Sequence, residues 1–376
     1  MSKKINIVAL VPYRIYPAKM GGQKGIALFY EYLSKIIPVS IISTKENVNT
    51  STAVKEYIPL LCPSKFRYIN PLLFFSIKRK IKQHHYSHLI LEHPYFGWLG
   101  LLLKKFTSIS LVIHSHNIES LRFKSTGKWW WRILWAYEKR VHQCANINFF
   151  ITEEDKLFAL NHFKLKANAC HTITYGFELH ESPSSEEKQI ARKKLLAQYQ
   201  LPAENKLLLF NGTLDYKPNL DALNTIINSI NPLLLAEKEF RYTILICGKS
   251  LPSHYKNLKE YNSQNIIYAG FVEDINLYFK GVDIFLNPVI DGGGIKTKLV
   301  EALGHNLDCI STINGAIGVP ADITNGKLTI IQDNNWKLFS QSIIQNNSTE
   351  QNINDDFFTH FYWGNIAQKA ASHISK

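Results

Sequence analysis

The stretch Asp291-Gly-Gly-Gly-Ile-Lys-Thr-Lys-Leu-Val-Glu-Ala-Leu-Gly304 follows an apolar run that predicts a β-strand ending near Asn287. Its glycines allow backbone N–H groups to approach a ligand closely, and the amino end of the helix that follows favours anions. Lys298 and Glu301 are three residues apart and therefore share one face of that helix. A cation near the helix start and a carboxylate one turn later suit a diphosphate followed by a ribose. A glycine-rich turn with an ordinary ion pair explains the same residues equally well.

Apolar, β-rich runs alternate with helical patterns along the whole chain, which predicts parallel sheets covered by helices. The strand candidates form two series, which are 5–11, 39–43, 88–92, 109–114 and 148–152, and then 206–210, 242–247, 266–268, 282–287, 307–312 and 328–331. Because 376 residues exceed what one core usually supports, we expect an α/β protein with two domains.

The domain boundaries follow from a polar, Ser-rich stretch between the two series of strands. We place the first domain at residues 1–178, a linker at 179–203 and the second domain at 204–355. Residues 356–376 predict a terminal helix that crosses back to the first domain. Doubly wound domains bind ligands at the carboxyl ends of their strands, so a cleft between the domains is the expected site.

Composition and charge narrow the possible functions. The formal net charge of +13 indicates an anionic partner, such as a phosphorylated substrate, an anionic membrane surface or nucleic acid. The five cysteines have neither metal-ligand nor redox spacing, so reduced thiols are expected. No apolar run approaches the length that spans a bilayer, and the short run after the amino terminus predicts a first strand rather than a signal peptide. A cytoplasmic protein is therefore expected.

The stretch at 291–304 resembles the donor-binding motif of the retaining glycosyltransferases of family 4, which have the GT-B fold of two Rossmann-like, doubly wound domains facing a central cleft. The resemblance implies that Glu301 holds the ribose of a nucleotide sugar and that Lys298 is catalytic. It assigns four further residues to donor binding, namely Gly293, Gly294, Ile295 and Lys296. The common family motif has another Glu where this chain has Gly293. The chain is therefore similar to the subgroup whose turn supplies backbone amides and lysines instead.

A second part of the resemblance is Phe210-Asn-Gly-Thr-Leu-Asp-Tyr-Lys-Pro-Asn-Leu-Asp221, which is similar to the segment that opens the second domain of the family. Lys217 lies where a predicted strand leads into a helix, a position suited to neutralising a leaving diphosphate. We therefore assign Lys217 to catalysis and Thr213 to donor binding. From the residues alone, an ordinary solvated loop lysine is the favoured interpretation of Lys217.

The first half of the chain contributes two further parts. Gly21 and Gly22 lie in a segment that resembles the first-domain glycine loop, which closes over the donor phosphates, and a plain loop is the alternative. His116, within His114-Ser-His-Asn-Ile-Glu119, follows a predicted strand, and an imidazole there suits hydrogen bonding to sugar hydroxyls or proton transfer. The string His-Asn-Ile-Glu is similar to the first-domain active-site segment of the family, so we assign His116 to catalysis. A histidine satisfied by the backbone is the alternative.

The sequence predicts a reaction without a metal. No further His, Cys or acidic residue lies at a spacing that would complete a metal site with these histidines, and the chain contains no Asp-x-Asp. We therefore expect no metal and no other cofactor, with lysines and a helix terminus stabilising the departing nucleotide.

A basic, tryptophan-rich helix is predicted from Lys128 to Val141. Its expected apolar stripe is Trp130, Ile133, Leu134, Tyr137 and Val141. The opposite face, expected to meet membrane headgroups or the acceptor, is Lys128, Arg132, Trp135 and Lys139. A half-buried domain helix with a solvated basic side is the alternative.

Together these features predict a retaining, metal-independent, hexosyltransferase-type glycosyltransferase that moves a sugar from a nucleotide-diphosphate sugar to a glycan or lipid-linked acceptor. We expect a role in polysaccharide or cell-envelope glycan biosynthesis, in the cytoplasm or peripherally on the inner face of the membrane. A nucleotide-sugar epimerase of the same architecture and a non-catalytic glycan-binding relative are alternatives. A nucleic-acid-binding protein is another, but no zinc finger, RNP-like string or helix-turn-helix supports nucleic acid as a partner.

Overall fold

The computed structural model describes residues 5–18, 21–47, 53–346 and 351–376, which form two compact α/β units. The first unit is Met1–Glu178 together with Phe361–Lys376, and the second is Leu179–His360. Each unit contains one parallel sheet with helices, as the alternating pattern predicted.

The first sheet has seven strands, two of which the sequence analysis missed. Its strands are β1 (Ile7–Leu10), β2 (Val39–Thr44), β3 (Glu56–Leu61), β4 (His88–Glu92), β5 (Ser110–Ser115), β6 (Ile147–Phe150) and β7 (Cys170–Thr172). All neighbours are parallel, in the order β3-β2-β1-β4-β5-β6-β7. The missed strands are the two edges: β3 contains Pro59, which only an edge tolerates, and β7 has three residues.

The helices that accompany the first sheet are α1 (Gly21–Ser34), α2 (Leu72–Gln83), α3 (Gly97–Phe106), α4 (Glu119–Ser125), α5 (Trp131–Cys144) and α6 (Glu153–Phe158). Apolar side chains of α2 and α3, such as Ile77 and Leu99, pack with Leu89 and Leu111 from the central strands into one buried core. This packing fixes the strand ends that hold the polar residues described below.

The second sheet has all six predicted strands, namely β8 (Lys206–Asn211), β9 (Tyr242–Cys247), β10 (Ile266–Gly270), β11 (Ile284–Asn287), β12 (Asp308–Thr312) and β13 (Leu328–Ile331). They are parallel, in the order β10-β9-β8-β11-β12-β13. The accompanying helices are α7 (Ser185–Tyr199), α8 (Lys217–Thr225), α9 (Asn231–Leu235), α10 (Ile275–Gly281), α11 (Thr297–Gly304), α12 (Trp336–Ile344) and α13 (Asp355–Phe361).

The segment 179–203 is not the linker that its polar composition predicted, because most of it forms α7 within the second unit. Ser184 accepts a hydrogen bond from the backbone of Glu187, and the Glu187 side chain accepts one from the backbone of Ser184, which together form a capping box. The helix buries only Ala191 and Leu195, and this narrow apolar face explains why no helical periodicity was visible.

The predicted terminal helix is divided in two at Tyr362, where the backbone is extended. The second part, α14 (Trp363–Ile374), belongs to the first unit and packs against α1. The rings of Phe29 and Trp363 lie 6.5 Å apart, and Phe177 donates a backbone hydrogen bond to Phe361 at 2.9 Å. Among the described residues, no helix combines the length and the apolar character that crossing a membrane requires.

Candidate active site

Glu92 and His114 occupy the last paired positions of the neighbouring parallel strands β4 and β5. The side chains therefore meet at the carboxyl edge of the first sheet. Glu92 Oε1 accepts hydrogen bonds from the Tyr30 hydroxyl at 2.5 Å and from His114 Nδ1 at 2.9 Å. His116 Nε2 lies 2.6 Å from Glu92 Oε2. One buried carboxylate thus orients two histidines and a tyrosine.

The ionisation of this cluster is set by burial and by mutual contact. Burial opposes the charge on Glu92, but His114 and His116 outweigh it and hold its pKa well below the ordinary value. Burial also lowers the pKa of His116 to about 4, and the neighbouring His93 adds to this shift. Since a carboxylate can only accept, neutral His116 must donate its Nε2–H to Glu92, which leaves Nδ1 as the basic nitrogen. His116 therefore offers Nδ1 as a hydrogen-bond acceptor, and its lowered pKa makes it a weak base.

His93, which the sequence analysis missed, adopts a backbone conformation that is almost confined to glycine, with φ 63° and ψ 159°. Its Nε2 lies 2.8 Å from the Tyr13 hydroxyl and its Nδ1 lies 3.3 Å from Glu119 Oε1. Its ring centroid is 4.5 Å from that of His116. Strained backbone of this kind collects at functional sites, so His93 joins the candidate residues.

Glu119 is the second buried carboxylate of the cluster. Its Oε2 accepts hydrogen bonds from Arg122 Nη2 at 2.6 Å and from the Tyr95 hydroxyl at 2.8 Å. Burial opposes its ionisation, but His93, Arg122 and Tyr95 outweigh burial and lower its pKa to about 2. A charged Glu119 in turn orients His93, which extends the network from the strand ends into α4.

The sequence analysis excluded a metal because no further acidic residue lies at a suitable spacing from the histidines, and the structure contradicts that argument. Glu92 is the acidic residue that the spacing argument missed, because sheet pairing rather than sequence proximity brings it to the histidines. Glu92, His114 and His116 each offer one ligand atom, and these atoms lie within 4.8 Å of one another. Two imidazoles and a carboxylate are a donor set that zinc accepts. The same atoms are already joined by hydrogen bonds of 2.6 and 2.9 Å.

The turn before α11 has a backbone with positive φ values at two of its glycines. Gly292 and Gly294 have φ values of 90° and 71°, which side chains rarely tolerate. Lys296 Nζ donates to the carbonyl oxygens of Gly292 and Gly294, each at 2.9 Å. Lys296 was assigned to donor binding, and these contacts show that its ammonium also braces the turn.

Lys298 and Glu301 form the ion pair that their spacing predicts, with Nζ 2.8 Å from Oε2. The Glu301 side chain is 15% exposed and that of Lys298 is 36% exposed, so a ligand can reach both. Gly293 and Ile295 lie in the turn ahead of them. The pair therefore presents a cation in the first turn of α11 and a carboxylate one turn later.

The two second-unit motifs are in contact. A side chain at Gly292 would meet Pro218 Cγ at 3.2 Å and the Tyr216 hydroxyl at 3.5 Å, so the turn lies against the start of α8. Lys217, at the first position of α8, forms an ion pair with Asp221, and this contact raises the pKa of Lys217. Its side chain remains 72% exposed. The structure thus places Lys217 and the 291–304 motif side by side.

The turn after β8 is held by its own side chains. Asn219 Nδ2 donates to the carbonyl oxygen of Thr213 at 3.0 Å. In the first unit, Gly21 and Gly22 begin α1, and no atom of the described residues lies within 4 Å of a side chain built at Gly22. Lys19 and Met20, which precede them in the predicted loop, lie outside the described residues.

The predicted faces of the tryptophan-rich helix are correct in part. Four of the five residues of the expected apolar stripe are buried or half-buried, but Ile133 and Trp135 were assigned to the wrong faces. Ile133, assigned to the buried stripe, is 67% exposed, and the neighbouring Trp129 is 82% exposed. Trp135, assigned to the basic face, instead packs against Phe163 with ring centroids 5.7 Å apart. Lys139 lies over the Trp135 ring, with Nζ 5.0 Å from its centroid.

Buried hydrogen bonds place two polar residues of α5 on its inward face. Glu138 accepts from the Ser120 hydroxyl at 2.6 Å, and His142 Nδ1 lies 2.8 Å from Asn148 Oδ1. These polar side chains therefore turn inward, which a hydrophobicity pattern cannot show. The outward face contains Arg132, Ile133 and Arg140, and Lys128 and Trp129 are exposed just before the helix.

Both halves of the chain match family models of glycosyltransferases. The model of glycosyl transferases group 1 matches residues 205–346, and the model of Glycosyltransferase Family 4 matches residues 25–181. An uncharacterized 44.6 kDa protein in the cps region of Klebsiella pneumoniae is 27% identical over 143 residues. That match covers 36% of this chain and 36% of the relative, so it spans little more than a third of the relative's length.

Two solved structures share the fold over nearly the whole chain. A glycosyltransferase from Rickettsia africae has a TM-score of 0.73 at 17% identity and covers 100% of this chain and 98% of its own. Anabaena HepE, in complex with UDP and glucose, has a TM-score of 0.67 at 16% identity, and the match covers 99% of this chain and 100% of HepE. With both family models and the two parallel-sheet units in agreement, the chain belongs to the family 4, group 1 glycosyltransferases and has their GT-B fold.

Proposed function

We propose that this glycosyltransferase moves a sugar from a nucleotide-diphosphate sugar to a glycan or lipid-linked acceptor, with retention of the anomeric configuration and without a metal ion. The glycine turn that opens α11 carries the proposal, because it lies against α8 and places Lys217, Lys298 and Glu301 around one end of the second sheet. These residues supply the charges that a nucleotide diphosphate needs.

Glu301 is proposed to accept hydrogen bonds from the two ribose hydroxyls. In the structure its carboxylate is paired with Lys298 at 2.8 Å, so ligand binding exchanges this ion pair for contacts of each partner with the nucleotide. Lys298 then turns to the diphosphate, where the amino end of α11 also favours negative charge. HepE was captured with UDP and glucose, which makes UDP the first nucleotide to test.

In the proposed transfer, the bond between the anomeric carbon and the phosphate oxygen breaks, and the acceptor hydroxyl oxygen bonds to the anomeric carbon on the same face. The acceptor proton passes to an oxygen of the departing diphosphate. Lys217 and Lys298 offset the charge that develops there, which is the role for which a preorganised cation is most effective. His116, neutral and held by Glu92, accepts a hydrogen bond from a sugar hydroxyl.

The proposal of metal independence rests on these two lysines, since they supply the positive charge that a divalent cation would otherwise bring to the diphosphate. The Glu92, His114 and His116 group is assigned to hydrogen bonding, because Glu92 already accepts from all three of its polar neighbours. A chelator therefore leaves the turnover rate unchanged.

The test is a nucleotide-release assay with UDP-, GDP- and ADP-sugars and a panel of envelope glycan and lipid-linked acceptors, run with and without EDTA. We expect release that depends on the acceptor, with the anomeric configuration of the product matching that of the donor by NMR. Conversion of the donor without any acceptor would instead establish an epimerase. Loss of turnover in EDTA, with recovery on adding Mg²⁺ or Mn²⁺, would overturn metal independence.

We also propose a role in cell-envelope glycan synthesis at the inner face of an anionic membrane. The curated relative in a cps region supports the envelope assignment. The exposed face of α5 and the turn before it support the membrane, because Ile133 and the preceding Trp129 are exposed near Arg132 and Arg140 in a chain of net charge +13. Helix α2 adds a second such surface, with exposed Leu72 and Phe75 ahead of its basic residues.

A further inference from the structure

A polar cavity of about 290 Å³ lies in the second unit at the amino ends of three parallel strands. Asp283 directly precedes β11, Asp308 begins β12 and Lys327 directly precedes β13, and all three line the cavity. The donor motif at 291–304 instead follows the carboxyl end of β11. Because the strands are parallel, the cavity lies at their amino ends and the donor motif lies at their carboxyl ends, on opposite sides of the sheet.

Four cationic side chains line the cavity, together with two carboxylates. The cations are Lys188 and Arg192 on α7, Lys280 on α10, and Lys327, and the carboxylates are Asp283 and Asp308. Arg192 Nη1 lies 2.6 Å from Asp283 Oδ2, and Lys327 Nζ lies 3.0 Å from Asp308 Oδ1. Both partners of the second pair are more than nine-tenths buried. The two carboxylates are thus matched by two of the four cations.

Lys188 supplies the positive charge that the carboxylates do not match. Lys188 Nζ donates to the backbone carbonyl oxygen of Asn306 at 2.9 Å, and a carbonyl is neutral. Burial lowers the pKa of Lys188, and the like charge of Lys327 lowers it further. Lys280 pairs at 2.6 Å with Glu187, which is half exposed to solvent. With Glu187 included, four cations stand against three carboxylates, so the cavity has an excess of one positive charge at Lys188, in a concave space that can attract a small anion.

We propose that this cavity binds a small phosphorylated molecule, with its phosphate beside Lys188 and Lys280. A phosphate brings several acceptor oxygens to a group of ammonium donors, which relieves the repulsion between Lys188 and Lys327. Ser185, Gln189 and Asn352 line the same space and offer hydroxyl and amide groups to the hydroxyls of a sugar. The site is independent of the proposed donor chemistry, because none of these residues belongs to the 210–221 or 291–304 motif.

Several elements of the second unit meet at the cavity. It is walled by α7, by the end of α10 and by the loops that enter β11, β12 and β13. A bound anion therefore links α7 to the sheet of the same unit. Since such a ligand binds the folded chain, it raises the temperature at which that chain unfolds.

The test uses the full chain, with inorganic phosphate and glucose 1-phosphate as probes in calorimetric titrations. Wild type is expected to bind both saturably, and glucose 1-phosphate more tightly. Lys188→Gln is expected to bind at least 10-fold more weakly, and Lys280→Gln several-fold more weakly. Lys193→Gln is the matched control, because Lys193 is an exposed lysine on the same helix, and it should bind as wild type does.

A donor-site variant separates this site from the proposed catalytic one. Lys298→Gln is expected to retain phosphate binding in full. Binding that is lost in Lys298→Gln but kept in Lys188→Gln would place the phosphate at the donor motif and overturn the proposal. Equal affinity of wild type and Lys188→Gln, or no saturable binding by wild type, would also overturn it. Equal affinity for the two probes would remove the sugar from the assignment. Circular dichroism checks that each variant is folded. If Lys188→Gln does not fold, the affinity of Lys280→Gln tests the proposal instead.

Discussion

The Nε2 atom of His116 lies 2.6 Å from the Oε2 atom of Glu92, although the two residues are 24 positions apart in the sequence. They meet because β4 and β5 are neighbours and both end at the same edge of the first sheet. Glu92 also accepts from Tyr30 and His114, so a single buried carboxylate fixes the orientation of three polar rings. The chemistry proposed for His116 therefore depends on Glu92, which acts as a positioning residue.

Glu92→Gln should lower kcat by about 100-fold, because an amide nitrogen cannot accept the Nε2–H of His116 and the imidazole loses its fixed tautomer. Donor affinity should change little, since Glu92 is proposed to act through His116. Steady-state kinetics and nucleotide titrations measure the two effects separately. Glu260→Gln, on the exposed surface, is the control. A folded Glu92→Gln enzyme with the wild-type kcat would remove His116 from the catalytic residues.

Glu301→Ala should weaken nucleotide binding, because two ribose hydroxyls lose a charged acceptor. The expected loss is about 1.5–3 kcal/mol, or roughly 10- to 100-fold in Kd. Calorimetric titration with the nucleotide that the wild type releases measures it, with Glu260→Ala as the control. Unchanged affinity in the folded variant would contradict the ribose assignment.

Acid should destabilise the first unit through Glu119. Its pKa is about 2 in the folded chain and 4.5 in an ordinary environment, so the unfolded state takes up the proton first as the pH falls. The stabilisation is complete above pH 4.5 and disappears between pH 4.5 and pH 2, with a size on the order of 3 kcal/mol. Urea unfolding of wild type and Glu119→Gln across this range should show the difference between them shrinking towards low pH. A constant difference would contradict the shifted pKa.

Reversing two charges on the exposed face of α5 should release the protein from anionic vesicles. Arg132→Glu/Arg140→Glu is expected to bind phosphatidylglycerol-containing vesicles more than about 10-fold more weakly, since each cation near such a surface contributes about 1 kcal/mol. Lys193→Glu/Lys194→Glu makes the same change in net charge on α7 and should have a smaller effect. Co-sedimentation with anionic and neutral vesicles measures both. Equal losses would indicate general electrostatics rather than this face, and no binding by wild type would favour a soluble acceptor.

Gly281→Ala should destabilise the second unit by about 1–3 kcal/mol, because the added methyl would lie 2.9 Å from the Ala191 backbone oxygen of α7. Gly22→Ala, where none of the residues that the structure describes has an atom within 4 Å, is the control and should be close to neutral. Chemical denaturation measures both. Equal stability of the two variants would mean that α7 is not packed on α10.

The strands of both sheets were predictable because each is a short apolar run between polar turns, and β4, β8 and β9 are found almost residue for residue. The donor motif was also predictable, because its features depend on local backbone geometry. The positive φ values at Gly292 and Gly294 require glycine, and the Lys298–Glu301 pair follows from helix geometry alone.

What the sequence analysis missed depends on pairing between distant segments. Glu92 and His93 directly follow one another at the end of a correctly predicted strand, and that position was the available signal. Only the strand order shows that this end lies beside His114. The predicted inward face of α5 was incomplete for the same reason, because Glu138 and His142 turn inward towards partners on other elements.

The position of α14 in the first unit has a consequence for how the chain matures. Trp363, Ile366 and Ile374 are buried in that unit, yet they are synthesised after the whole of residues 179–360. At roughly 5–20 residues per second, a ribosome needs about 10–40 s to make that intervening stretch. The second unit is continuous and can fold as it emerges, whereas the first must wait with the α14-binding face of α1 uncovered. The amino-terminal half is therefore the last to be completed, and a folding helper that shields apolar surface would act on it throughout that interval.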